Sequence, residues 1–423
     1  MFLVTISPAL VMMINPLIAR LRFGAGEWQS FLMTAALPTS MLLSVFWSEV
    51  LARMSARRYL LVYWLFAAAP VALAAAAHSF WHLLACQLAA SVGMAGWAPI
   101  HGTLLKRLYT DRVRGRVHGA LIVPNTLSGV VALLVAGAWL TADGEAFRIF
   151  LPVTALLHFA GVTVLMWLAG PKREKDRPRP HEGLRSLMTP VLNMRRTLAE
   201  DRAFYRYEAA FMTYGAGFMI CEVLFPVLVT DKLNMNYDEV AKSAHVVVRL
   251  SMLALAFPMG ILVDRLGPSR TCAAVFLYLA LYPIGLGLAA GPVGLAVASA
   301  IFGSAMAGVM HGWMLGPVAM APTAERVAQY VSIHSTLVGL RGIVFQGVGM
   351  LLYTVSGAFY VPLIVAALCF VWAARQMWRL GRRPGSDSGV PAPPSVDPRE
   401  HAPVHGTRDL VARQSSVTLY SSG

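Results

Sequence analysis

Long apolar runs broken by short polar gaps dominate the chain. Twelve of them approach the roughly 20 residues that a helix needs to cross a bilayer. Six lie near Phe2–Ala19, Trp28–Ser48, Tyr59–Ala77, Leu83–Leu105, Val117–Leu140 and Phe150–Ala169. Six more lie near Tyr207–Val229, His245–Val263, Thr271–Ala290, Pro292–Met314, Tyr330–Tyr353 and Ala358–Ala374. The gap between the two sets opens with PKREKDRPRPHEG and reads as a linker, with a surface helix near Leu184–Leu198. After Arg375 the chain is rich in Pro, Ser and Gly and loses its apolar periodicity, as a disordered tail does. The pattern predicts an all-α membrane protein: a six-helix bundle over residues 1–169, a basic linker over 170–206, a second six-helix bundle over 207–375 and a tail over 376–423.

Composition narrows the class. The 423 residues are 57% hydrophobic and only 13% charged, with a mean hydropathy of +0.61. Soluble domains carry about 25% charged residues, so a soluble globule, a disordered arm and a disulfide-stapled secreted domain are all excluded. The first run is apolar from Met1, with no Lys or Arg before Arg20 and no small-residue cleavage site. It reads as a retained span rather than a secretory signal. Cys86, Cys221, Cys272 and Cys369 all sit inside apolar runs without a CxxC pair or metal-ligand spacing, so buried thiols are expected and no metal or other cofactor is implied.

A net charge of +14 raises the question of nucleic acid. Placement answers it. With the linker in the cytoplasm and the loops alternating outward from it, 28 of the 35 Lys and Arg residues fall on the cytoplasmic side. Arg20, Arg22, Arg148, Lys232 and Lys242 fall on the other side, and Arg249 and Arg341 lie within spans. That asymmetry follows the positive-inside rule. It places both termini in the cytoplasm of a multi-pass cytoplasmic-membrane protein, with the bilayer rather than nucleic acid as its partner.

The two sets of spans repeat one another. Ala95-Gly-Trp-Ala-Pro-Ile-His101-Gly102 in the fourth span matches Ala305-Met-Ala-Gly-Val-Met-His311-Gly312 in the tenth. The loop Ser48–Arg58 after the second span aligns with Gly260–Arg270 after the eighth at nearly the same offset. Within the latter, Gly260-x-x-x-Asp264-Arg265-x-Gly267-x-x-Arg270 resembles the loop signature that major facilitator superfamily transporters carry after their second and eighth helices. The resemblance extends from the first span to the twelfth. It implies two pseudo-symmetric six-helix bundles around a central cavity that opens alternately to each side, acting as a monomer. It further implies a gating role for Gly260, Asp264, Arg265, Gly267 and Arg270, and for Arg53, Arg57 and Arg58 in the first half. There the motif's Gly and Asp positions hold Ser48 and Ala52, and Glu49 is the nearby acid. The fifth span lacks the Gly-Pro-Gly-Gly pattern of the family's drug antiporters.

Charged side chains at mid-membrane cost at least ~2.5 kcal/mol on insertion scales, so they face protein or water and often serve transport. Glu222, Arg249 and Arg341 read as the three such groups, accompanied by His101, His118, His311 and His334. Spans three, six, nine and twelve, which the resemblance makes peripheral, hold no charged residue. Helical spacing places His334 with Arg341, His245 with Arg249, and His118 with Asn125 on shared faces. Two arginines, several histidines and a lone intramembrane acid suggest an organic anion or amphipathic metabolite as substrate, with protons as the coupling ion and Glu222 as proton carrier or counter-ion. Rival readings accompany each residue. Arg341 can cap carbonyls between helices, Glu222 can form a static ion pair with Arg249 or Arg341, His101 and His311 can pack beside Gly102 and Gly312, and Asn15 and Asn125 can bond between helices.

The same residues admit other readings. Drug or xenobiotic efflux is the nearest alternative, and a non-transporting receptor or scaffold with the transporter fold is the rival of another class. No P-loop, HExxH, GxSxG or CxxC occurs, and a membrane acyltransferase using His101 or His311 would lack an adjacent acid, so an enzyme is not expected.

Overall fold

The computed structural model describes the chain except for residues 1, 44–45, 48–49, 52–53, 109–110, 170–193, 323–325 and 382–423. The described residues form helices and no strand. Among the described residues, eleven helices are long and apolar enough to cross a membrane: α1 (Phe2–Leu21), α3 (Ala56–Ala76), α4 (Phe80–His101), α5 (Val123–Ala142), α6 (Phe147–Leu168), α7 (Arg202–Lys232), α8 (Tyr237–Leu266), α9 (Pro268–Leu288), α10 (Pro292–Met320), α11 (Gln329–Ser356) and α12 (Tyr360–Gly381). The shorter α2 (Glu27–Met41) stands where the second span is predicted. The described helix of α5 begins at Asp111, and the helix Trp97–Leu108 continues α4.

Helix starts use side-chain caps. Ser55 accepts from the Arg58 backbone N–H, Ser79 from His82, and Asp201 from Ala203 and Phe204. Asn236 and Glu239 form a reciprocal box at the start of α8. The turn from α8 to α9 needs Gly267, whose φ of 79° lies in the left-handed region, and Pro268 then opens α9. A helix at 194–200 overlaps the predicted linker helix and lies against the start of α11. Gln329 donates to Thr197 (2.7 Å), Tyr330 donates to Asp201 (2.8 Å), and Met194 and Leu198 pack on Phe204, Tyr330 and Ile333.

α1 packs on α5 and α6, α7 on α11 and α12, and α8 on α10. Asn15 fixes α1 against α4: its amide donates to Gln87 (2.9 Å), whose own amide donates to the Val11 carbonyl (3.1 Å). α3, α6, α9 and α12 turn large apolar side chains outward, among them Leu65, Leu156, Trp167, Leu277 and Leu368, as lipid-facing helices do.

Helices before and after the linker meet along three seams. α2 meets α11 where Thr34 bonds Gln346, Gly342 packs on Pro38 and Gly339 on Leu42. α5 meets α8 where Thr141 bonds Asn236 and Asp238, and Gly137 packs on Ala241. α1 meets α7 where Arg20 reaches Thr230 and Asp231. The α2–α11 seam lies around the middle of its helices, and the other two lie at the ends remote from the linker. Nearby, Arg148 and Arg22 bind Glu145 and hold its carboxyl below the usual carboxylate range. On the linker side, Phe257, Ile261, Asp264, Arg265 and Leu266 of α8 are exposed. The molecule is closed at the far end.

Arg20 also donates to the Ala25 carbonyl, so one nearly buried guanidinium ties three groups at this closure. Loss of about 1 kcal/mol there is worth about a fivefold shift in population. A cysteine introduced at Ala241, which is buried in the α5–α8 seam, should therefore react about fivefold faster in the purified protein with a bulky polar maleimide when Arg20→Gln is added. An unchanged rate would mean that apolar packing alone closes this end.

Candidate functional site

α7 and α11 bring the buried charges together. Glu208, Phe211, Gly215 and Glu222 follow one another at helical spacing along α7, and α11 supplies His334, Arg341 and Gln346. His334 Nδ1 lies 3.0 and 2.9 Å from the two oxygens of Glu208, and the two side chains are only 2% and 3% exposed. The edges of Phe211 and Trp313 surround the imidazole, whose Nε2 is buried without a hydrogen-bond partner.

Seven residues along α11, Arg341 Nη1 donates to the Phe211 carbonyl (2.8 Å), and the guanidinium lies 5.4 Å from the Tyr214 ring centroid. Gly215 makes room for it: a Cβ there would stand 2.3 Å from Arg341 Nε. Glu208 and Glu222 are both near enough to act on this charge. Glu222 accepts from Gln346 Nε2 (3.2 Å), and Gln346 Oε1 accepts from Thr34 on α2 (2.9 Å). A polar chain thus runs from Glu222 through α11 into the first half of the molecule.

Two expectations are corrected. Glu222 is not a lone intramembrane acid, because Glu208 on the same helix is more deeply buried and already holds His334. Nor does Arg249 compete for Glu222. α8 runs beside α5, so Arg249 lies against Gly129 and reaches Met13 Sδ (3.7 Å). Among the described residues Glu222 has no arginine within ion-pair distance, and its hydrogen bond comes from an amide instead.

The remaining candidates lie elsewhere. Asn15 makes the α1–α4 clamp, and Asn125 stands on α5 with its Oδ1 buried and unbonded. His101 stacks on Trp97 at 5.3 Å. His311 Nδ1 lies 2.7 Å from the Ala307 carbonyl on its own helix, beside Gly260. Asp264 and Arg265 are exposed at the end of α8, and Arg270 donates to the Gly381 carbonyl. Arg57 donates to the Met166 carbonyl, and Arg58 closes the first turn of α3 through its backbone. Arg53, with Ser48, Glu49 and Ala52, lies outside the described residues.

Sequence reasoning missed Glu208, Gln346 and Thr34. The signal for Glu208 was its separation of fourteen residues from Glu222, which is about four helical turns and so returns to one face. Gln346 and Thr34 carry no charge, and nothing local marks them.

The family model described as Major Facilitator Superfamily matches residues 1–326. No individual curated protein matches the sequence. Among solved structures, the nucleoside transporter NupG is similar with a TM-score of 0.68 at 14% identity, covering 90% of this chain and 97% of NupG. A bacterial homologue of the human lysosomal transporter Spinster, in an inward-facing and unoccupied conformation, gives 0.60 at 15% identity, covering 90% and 96%. The human organic anion transporter MFSD10 (TETRAN) gives 0.58 at 16% identity, also covering 90% and 96%. At such identities the likeness is one of fold.

Removing one member of a buried pair leaves the other uncompensated. Glu208→Gln and His334→Gln should each lower the apparent Tm of the purified protein by several degrees. The double variant should lose less than the sum, with a coupling of about 0.5–3 kcal/mol. Strict additivity would show that the two side chains are neighbours without interacting.

Proposed function

The chain belongs to the Major Facilitator Superfamily, and from that premise we propose that it is a secondary transporter of the cytoplasmic membrane. It moves a small organic solute, an organic anion or amphipathic metabolite, by alternating access driven by the proton gradient. The linker and both termini lie in the cytoplasm, where the basic residues concentrate, so the end closed by the seams is the outer one.

One observation carries this reading. Two enclosed carboxyl sites on α7, Glu208 with His334 and Glu222 with Gln346, flank a single arginine on α11. An ionised carboxylate in low dielectric leans on every donor within reach, and protonation removes that demand. When Glu222 is ionised, Gln346 binds it through a charge-assisted hydrogen bond and stays in line with Thr34 across the α2–α11 seam. A proton on Glu222 weakens that bond and leaves Arg341 to Glu208. Proton occupancy is thereby linked to the contact that separates the two halves. Asp264 and Arg265, exposed in this state, engage α11 or its neighbouring loop when the cytoplasmic end closes.

In proteoliposomes loaded with a transported solute, Glu222→Gln should keep exchange while losing accumulation driven by a pH gradient. Equal loss of both would make Glu222 structural, and retained accumulation would place coupling elsewhere. Asp264→Asn should leave insertion and Tm intact and slow transport about tenfold. Unchanged transport at normal expression would leave the loop as a turn and nothing more.

A further inference from the structure

Arg341 and Arg249 differ in one respect. Arg341 has a carbonyl, an aromatic face and two nearby carboxylates. Arg249, midway along α8, has the sulfur of Met13 as its hydrogen-bond acceptor; its Nε, like that of Arg341, is buried with no partner. Among the described residues no acidic side chain lies within ion-pair distance of it. A guanidinium held this deep without a counter-ion is costly. Its position is nevertheless built for it, because a Cβ at Gly129 would stand 2.6 Å from Nη1.

Two more unsatisfied groups flank it. One turn earlier on α8, His245 packs its ring 5.6 Å from Phe225 and leaves Nε2 buried without a partner. It lies in a π-helical stretch, Ala241–Val246, of the kind that recurs at functional sites. One turn from Gly129 on α5, Asn125 leaves Oδ1 buried and unbonded. A fixed cation, an imidazole nitrogen and an amide thus stand at the α1–α5–α8 junction, contributed by both halves, with Met13 and Phe225 as apolar neighbours.

We propose that this junction is the subsite for the substrate's anionic group, and that the group is a single carboxylate on an apolar body. One guanidinium compensates one negative charge, and its planar fork matches a carboxylate. Met13 and Phe225 offer the apolar body its surface. The proposal rests on the transport reading for its biological use and divides the labour of the two arginines: Arg249 holds the anion, Arg341 serves the acids. Because the carboxylate would lie between α5 and α8, binding it changes the seam that holds the halves together.

The test is thermal shift of the purified protein with sodium benzoate, sodium hexanoate and sodium 4-phenylbutyrate, each beside its neutral amide at matched concentration. At least one carboxylate should raise the apparent Tm of the unaltered protein while its amide does not. Arg249→Gln should weaken that binding about tenfold or more. Arg249→Lys, which keeps the charge but loses the fork, should weaken it less, and Gly129→Ala should weaken it by displacing the guanidinium. The proposal is overturned if the shift is the same in Arg249→Gln, if amides act like acids, or if none of the three carboxylates shifts the unaltered protein. Should Arg249→Gln fail to fold, Gly129→Ala and Arg249→Lys carry the same decision. Carboxylate binding that depends on Arg249, in a protein that accumulates nothing, would sink the transport reading alone. Accumulation of a carboxylate undiminished in Arg249→Gln would sink this inference alone.

Discussion

A charge placed among apolar helices needs a partner within a few ångströms, and the arrangement around α7 follows from how that need is met. Glu208 takes the imidazole of His334, Arg341 takes a backbone carbonyl and the face of Tyr214, and Glu222 takes an amide. Each solution uses a side chain from α11, so the register of α7 on α11 is set by polar groups as much as by packing. Gly215 belongs to the same solution, since the guanidinium occupies the volume that a larger residue would fill.

The network and the closure between the halves share atoms. Gln346 binds Glu222 with its amide N–H and accepts from Thr34 with its carbonyl oxygen, so it belongs to both at once. Around it Gly342 on Pro38 and Gly339 on Leu42 bring α2 and α11 close enough for a side chain as short as threonine to reach across. At the far ends, by contrast, the contacts are polar: Arg20 reaches Thr230, Asp231 and the Ala25 carbonyl, and Thr141 bonds Asn236 and Asp238. The closure is polar at its rim and tightly packed at its centre.

Much of this architecture was legible in the chain. Apolar run length marked the helices, and the uncharged spans three, six, nine and twelve are helices that turn large apolar side chains outward. Individual charges were visible too, and Arg341 and His334 both meet α7. Partners were not. Whether Arg249 meets Glu222 or Gly129 depends on which helices lie beside α8, and spacing along one helix carries no information about its neighbour. Neutral residues such as Gln346 and Thr34 acquire a role only through an acid on another helix. Asn15 is the opposite case: its bond to Gln87 is the modest interhelical one that a polar residue in a span makes most often.

The short helix at 194–200 is fastened to the start of α11 by Gln329 and Tyr330 and by a small apolar cluster. Farther along that same helix stand His334, Arg341 and Gln346. The segment 194–200 is thus joined to α7 by the chain and to α11 by side chains, and any displacement of it is shared by the two helices that carry the buried carboxyl groups and their partners.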